Sequence, residues 1–359
     1  MPLDLKEHIK HLSELPAPAG REDAARDAIR QAWAEFVDAF EVDGLGSLIA
    51  VKTGGGPEPR RKVMLCAHMD EIGLIVAEIR DGFIRAAMLG GVDTRVLLGQ
   101  PVLVHGRRAL PGVFGAAPPH MARSRSEYPA LDDLWIDVGL PHEDVIALVQ
   151  VGDMITFDAP AIELKGDRLA GKAFDNRVSV AAITVCLEEL ARREHAWDVV
   201  AVASVQEEVG GHGALTAAYK VQPDIAIAID GTFAAQLGGN DDETFKLGEG
   251  PTLGRGPNFH PLLVKHAREV AKDEEFKHQI EVLPGDSGTD AWVIQVSREG
   301  VPSLLFSIPM RNMHTPVEVI DVRDVRRAGR WMAALIARMG PDFLDEIAWP
   351  EGAGKETEA

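Results

Sequence analysis

Cysteine is scarce in this sequence: Cys66 and Cys186 are the only two in 359 residues, and each lies in an apolar run. They read as small core residues of a reducing compartment rather than as a disulfide framework. Positive charge is also short, since 37 basic against 56 acidic residues leave a formal charge of -19. Binding phosphate needs a surplus of Lys and Arg, so nucleic acid and anionic membrane are excluded as partners, whereas a cationic ligand is compatible. No uncharged apolar stretch reaches the ~18 residues of a membrane helix. The start "MPLDLKEHIKHLSEL" has no long apolar region of the secretory kind, so a cytoplasmic protein is expected. The triple glycine Gly54 to Gly56 lacks the Lys-Ser/Thr of a phosphate loop and reads as a turn.

What is present is ample core material, with 46% hydrophobic residues and a mean hydropathy of -0.04. The length exceeds what one compact core usually absorbs, so a large domain with a smaller companion is expected. A helix is predicted over about Leu3 to Leu15 and a second in "REDAARDAIRQAWAEF", after the break "PAPAG". "KVMLCAH" is a short apolar run of the kind found in strands covered on both faces. From Glu71 to about Glu163 the texture changes. Short β-like pieces ("GLIVAEI", "PVLVHG", "GVFGAA", "DMITFDAP") alternate with Gly and Pro turns, and no long helix appears. Beyond it, helix and strand alternate again: "VSVAAITVCLEELARRE" as a strongly amphipathic helix, "DVVAVASV" and "DIAIAID" as strands, "HPLLVKHAREVAKDE" as a helix, "SLLFSI" as a strand and "VIDVRDVRRAGRWMAALIARM" as a closing helix. The expected fold is α/β, a mainly parallel sheet flanked by helices. Its domain would comprise residues 1–70 and 164–345, interrupted by a small all-β domain over 71–163 and followed by a frayed tail over 346–359.

The places where strands run out carry the chemistry. "VMLCA" ends at His68, followed by Met69 and Asp70; "VAVASVQ" ends at Glu207 and Glu208; "DIAIAI" ends at Asp230; "SLLFSIP" leads through "MRNM" to His314. Asp175 stands just before the long central helix. In an open α/β sheet the functional crevice lies outside the carboxyl ends of the strands, so these residues would share one rim. No Lys or Arg is equally placed to neutralise them. Imidazole nitrogen and carboxylate oxygen together suit zinc, cobalt or manganese, which would relieve the repulsion of adjacent glutamates. Neighbours in extended chain point to opposite sides, so one of Glu207 and Glu208 can coordinate while the other acts as a general base. His68 and Asp70, two apart, point the same way, so Asp70 can accept the second ring N–H of His68. Each residue alone also has an ordinary reading: a core histidine, a solvated Glu pair, a turn Asp, a helix cap, a loop histidine.

The motifs "AHMDEIG", "KAFDNR", "QEEVGGHGA", "AIDG", "GRGP", "SGTDA" and "HTPVEVID" occur in this order. In them the chain resembles the dinuclear metallo-aminopeptidases related to the tetrahedral and glutamyl aminopeptidases. The resemblance runs from "PAPAG" to the last helix; "PAPAGRED" departs from the usual Gly- and Ser-containing form there, at no ligand position. It implies a zinc-peptidase-like α/β domain with an inserted barrel-like β domain serving oligomerisation, and two divalent cations (Zn or Co, also Mn). Asp175 would bridge them, His68 and Asp230 completing one shell, Glu208 and His314 the other. Glu207 would be the general base, with Asp70 behind His68. It further implies N-terminal hydrolysis of short peptides and a homo-oligomer, in many relatives a tetrahedral dodecamer. Arg255 in "GRGP" and Asp290 in "SGTDA" are candidate substrate contacts, weighed against a salt bridge and a helix cap. His212, His105 and His120 read as structural. Competing readings are a metal-dependent deacylase or carboxypeptidase, a glycoside hydrolase of the endoglucanase type that leaves both histidines without a purpose, and an inert assembly module.

Overall fold

Asp4 caps the first helix, its carboxylate accepting the amide of Glu7 at 3.3 Å, and Leu5, Ile9 and Leu12 bury one face at helical spacing. The chain is described here from a computed structural model covering residues 3–117, 129–240 and 243–349, so His120 and residues 350–359 of the expected tail lie outside the described residues. After α1 (Leu5–Glu14) come α2 (Asp23–Trp33), β1 (Ala39–Val42), β2 (Leu48–Lys52) and β3 (Lys62–His68). A second unit follows with β4 (Gly73–Arg80), β5 (Phe83–Leu89), β6 (Pro101–His105), β7 (Ala109–Ala116), β8 (Leu134–Asp137), the short α3 (His142–Leu148) and β9 (Met154–Phe157). The chain then returns through β10 (Ile162–Glu163), β11 (Arg168–Gly171), α4 (Phe174–Leu190), β12 (Asp198–Ser204), α5 (His212–Val221) and β13 (Ile225–Phe233). It closes with β14 (Thr252–Arg255), α6 (Pro261–Asp273), β15 (Gln279–Val282), α7 (Asp290–Ile294), β16 (Ser303–Arg311), β17 (Glu318–Asp321), α8 (Val322–Ala337) and α9 (Phe343–Glu346).

The large sheet runs β1-β2-β12-β3-β13-β16-β17-β11-β10, with β14 paired to β16 and β15. Its centre, β12-β3-β13-β16, is parallel, while the margins from β2 and β16 outward pair antiparallel, except that β14 and β15 pair parallel. Register decides the site. Ser204 stands opposite His68, Ala228 opposite Cys66, and Asp230 opposite Ser307, so four neighbouring strands bring His68 and Asp230 to one level.

Both faces of the sheet are covered, which is why β3 can be apolar throughout. One face packs on α5 and α7 through Met64, Cys66, Val202, Ala214, Ala218 and Ile294. The other carries α4, and here the structure corrects the sequence reading: α4 is not amphipathic, because nearly every residue from Phe174 to Leu187 is buried. A further layer of α1, α2 and α8 lies over it, leaving no face to water. The closing helix also starts later than its apolar pattern suggests, since Glu318–Asp321 extends as β17 and Asp321 caps α8 by accepting the amide of Arg323 at 3.1 Å.

The second unit is a closed barrel in the order β4-β5-β8-β7-β6-β9. Alternate residues such as Leu74, Val76, Val102, Val104, Phe114, Ile136 and Ile155 fill it. The barrel ends at Phe157 rather than at residue 163, because Ile162 and Glu163 pair with Ala170 and Leu169 in the large sheet. Of the expected tail, Glu346 ends the short helix Phe343–Glu346, and Trp349 stands edge-on to His260 with ring centroids 4.8 Å apart. Among the described residues no helix is long and apolar enough to cross a membrane.

Candidate metal centre

The parallel strands deliver their acids and imidazoles at or a few residues past their carboxyl ends. The exception is β13, which does not stop at Asp230 as its apolar run suggests but continues paired to β16 as far as Phe233. His68 is the last residue of β3; its Nδ1 lies 3.3 Å from the carbonyl oxygen of Asp70. A carbonyl only accepts, so Nδ1 carries a proton, and in the neutral ring Nε2 turns a lone pair inward. That lone pair faces Asp175 Oδ1 at 3.3 Å and Asp230 Oδ1 at 3.7 Å. The second imidazole repeats the arrangement. His314 Nδ1 donates to the carbonyl of Gly91 at 3.1 Å, and Nε2 faces Asp175 Oδ2 at 3.3 Å and Glu208 Oε2 at 3.6 Å. Asp175 therefore lies between two rings, one oxygen toward each.

Two groups follow, His68–Asp175–Asp230 and Asp175–Glu208–His314, each with its donor atoms within 4.8 Å of one another. The geometry asks for positive charge. With neutral rings, acceptor faces acceptor at 3.3 Å, and buried Asp175 Oδ1 is left without a donor. In the cation-free chain the histidines supply that charge as protons. Burial works against a charged His68, yet Asp175 and Asp70 hold its pKa well above the usual value. The hydrogen bond with Asp175 lifts His314 to about 9. Burial raises Glu207 to about 7 and, reinforced by Asp175, Glu208 to about 8. Asp175 stays below the usual carboxylate range: burial would raise it, but the bonds to His314 and His68 prevail. Two nitrogens and several carboxylate oxygens fit borderline divalent cations.

Glu207 and Glu208 occupy the turn after β12, and Asp70 sets their backbone, Oδ1 accepting the amide of Glu207 at 3.0 Å and Oδ2 that of Glu208 at 3.2 Å. The Asp70 carboxylate thus serves the glutamate turn first and stands 3.5 Å from His68 Nδ1. Glu207 keeps its Oε2 3.8 Å from His68 Nε2 and is the more exposed of the pair, with 17% of its side chain accessible against 5% for Glu208.

Two candidates do not join the cluster. Arg255 ends β14, which runs antiparallel to β16 with Thr252 opposite Ser307 and Leu253 opposite Phe306; Arg255 is carried toward the start of β16, away from His314. Asp290 is near but only 1% exposed, its Oδ2 accepting the Ser204 hydroxyl at 2.5 Å and the Cys66 thiol at 3.3 Å. It opens α7 beneath the strand ends and offers no surface to a substrate. His212 opens α5 with its Nδ1 3.3 Å from Gln206 Oε1, and the His105 ring meets the Thr156 hydroxyl at 2.8 Å.

Three contributions escaped the sequence reading. Glu318, four residues after His314, is buried and accepts the amides of Asp175 and His314. Glu71, next to Asp70, pairs with Lys172 at 2.7 Å and accepts the amide of Ala17 at 2.9 Å. Both stood inside quoted motifs, but only their partners give them a role. The third is the barrel: Gly91 supplies the carbonyl for His314, and a Cβ there would lie 2.7 Å from the ring nitrogen.

The family model described as M42 glutamyl aminopeptidase matches residues 46–330. A lysyl aminopeptidase of Pyrococcus furiosus is 36% identical over 348 residues, covering 94% of this chain and 98% of its own. An aminopeptidase from the archaeon Desulfurococcus kamchatkensis has a similar solved structure, with a TM-score of 0.89 at 38% identity over 97% of this chain and 98% of that one. The TET1 peptidase of Pyrococcus horikoshii, described as able to assemble into a tetrahedron or a large octahedral shell, gives a TM-score of 0.81 at 30% identity over 93% and 99% of the two chains.

Proposed function

The chain belongs to the M42 glutamyl aminopeptidase family, and from that premise we propose that it removes the N-terminal residue of short peptides at a site for two divalent cations, with Glu207 as general base. The observation that carries this reading is Asp175, whose two oxygens each lie 3.3 Å from a different imidazole Nε2. His68, Asp230 and one Asp175 oxygen would hold one cation; Glu208, His314 and the other oxygen would hold the second. Zinc, cobalt and manganese all suit these donors. Bound there, the pair would supply Lewis acidity, lowering the pKa of a shared water and polarising the scissile carbonyl.

The chain's own groups do the rest. Glu207 takes a proton from the attacking water at its carboxylate and passes it to the leaving amine; a pKa of about 7 in the cation-free chain suits both halves of that task near neutral pH. Asp70 holds the Glu207 amide, so the carboxylate starts from a set backbone. The acidic cluster draws the free α-ammonium of the substrate, which favours exopeptidase action. Similarity to a peptidase that forms closed shells, and the exposed Phe83 and Val113 on the barrel, support a homo-oligomer built through that unit.

A panel of aminoacyl-anilides, with and without N-acetylation, assayed on chelated enzyme reconstituted with each metal in turn, tests the reading. Turnover should vanish on chelation, return with metal and require the free amine. Activity on acetylated substrates alone would favour a deacylase, and polysaccharide hydrolysis that survives chelation would favour a glycosidase. Light scattering behind size exclusion checks assembly, and a monomer at micromolar concentration would refute it.

A further inference from the structure

Glu318 has no part in the chemistry above, yet it stands where two ligand segments meet. It opens β17, whose register sets it opposite Gly171 at the end of β11. A few residues past Gly171 the chain enters α4 at Asp175, and a few residues before Glu318 it passes through His314. Both carboxylate oxygens are used. Oε2 accepts the Asp175 amide at 3.0 Å, and Oε1 accepts the His314 amide at 2.9 Å. Asp175 stands near the start of α4 with non-helical backbone angles (φ -74°, ψ 104°), and its amide takes its partner from outside the helix. His314 has a φ of +62°, a conformation that a residue with a side chain keeps only when its surroundings hold it. Lys172, which feels the charge of Glu318, is itself committed to Glu71 at 2.7 Å.

We propose that Glu318 is the positioning residue that assembles the Asp175–Glu208–His314 half of the cation site, one carboxylate tying together the backbones of two ligands that are distant in the chain. This rests on the two-cation reading above. A residue that merely closed β17 would affect folding without favouring one cation position over the other. A residue that sets both ligand backbones must affect the second position more than the first.

The test compares the parent with Glu318→Gln and Glu318→Ala, each stripped by chelator, titrated with zinc by calorimetry, and crystallised at limiting zinc for anomalous diffraction. Gln keeps the size but offers one acceptor to two amides. The weaker zinc dissociation constant is expected to rise about ten- to a hundredfold, as for other residues that orient metal ligands. The anomalous peak among Asp175, Glu208 and His314 should be lost while the one at His68 and Asp230 remains. Folded variants with parental zinc affinity and equal peaks would overturn the inference. A parent that binds no zinc would overturn the two-cation reading itself, and with it this extension. If neither variant folds, hydrogen exchange in the metal-free parent decides: slow exchange of the Asp175 and His314 amides supports the tie, and exchange at unstructured rates overturns it.

Discussion

Glu207 and Glu208 are neighbours in sequence with separate surroundings, and this difference sets their roles. Glu208 turns its carboxylate to His314, while Glu207 stays more exposed and approaches the cluster without closing on it. Replacing Glu207 by Gln keeps size and removes the base. The variant is expected to bind two cations as the parent does and to lose about 10²–10⁴ in kcat. Metal analysis beside anilide kinetics checks this, and parental turnover would sink the assignment. Four of the five proposed ligands were legible because each sits at or just past the end of an apolar run, and Asp175 because it stands before the long helix, which the sequence displays directly. Where Arg255 and Asp290 lie relative to the cluster was not legible, because that depends on strand direction and burial, which the sequence does not display. Glu318 was overlooked for the same reason, since its partners are two backbone amides.

Elements bring a second set of constraints, concentrated on α4. It is pressed so closely by α8 that a Cβ on Gly329 would lie 2.5 Å from the Ala182 carbonyl and 2.6 Å from Val185 Cβ. Ala is the better helix former by about 1 kcal/mol, but neither the backbone nor a β-branched side chain can yield. Gly329→Ala should therefore lose about 1–3 kcal/mol of stability in urea unfolding, and a gain would contradict this packing. In the same layer, the Thr184 hydroxyl of α4 joins His8 of α1 at 3.1 Å and Trp33 of α2 at 2.9 Å. Burial, with His11 nearby, lowers His8 to about 4 from its usual 6.5. The unfolded chain therefore takes up this proton more readily. Stability is undiminished above pH 6.5 and falls between pH 6.5 and 4, by at most about 3 kcal/mol from this group. His8→Gln should flatten the difference in stability between pH 7 and 4.5 relative to the parent. Equal pH dependence in the two proteins would refute it.

For the whole molecule, the relevant quantity is how much negative charge the fold gathers at one point. Asp175, Glu207, Glu208, Asp230 and Glu318 come from four segments of a chain already at -19. A fold that concentrates them resists its own assembly until cations arrive, so metal binding and folding stability should be linked. At a hundredfold excess over the dissociation constant, a bound cation adds about 2.7 kcal/mol of apparent stability. Chelation is expected to lower the melting temperature by several degrees, and zinc or cobalt to restore it. Identical melting curves with and without metal would show that the cluster binds no ion under those conditions.

The amino-acid order alone determined the alternation of helix and strand, the interruption by a β unit, and the identity of the residues at the strand ends, because local propensity and hydrophobic period are written along the chain. Tertiary structure decided which of those residues meet. The parallel register levels His68 with Asp230, the return of β17 lets Glu318 reach two distant amides, and the barrel lends Gly91 to His314. Such contacts depend on register, strand direction and packing between layers, and none of these has a local signature in sequence.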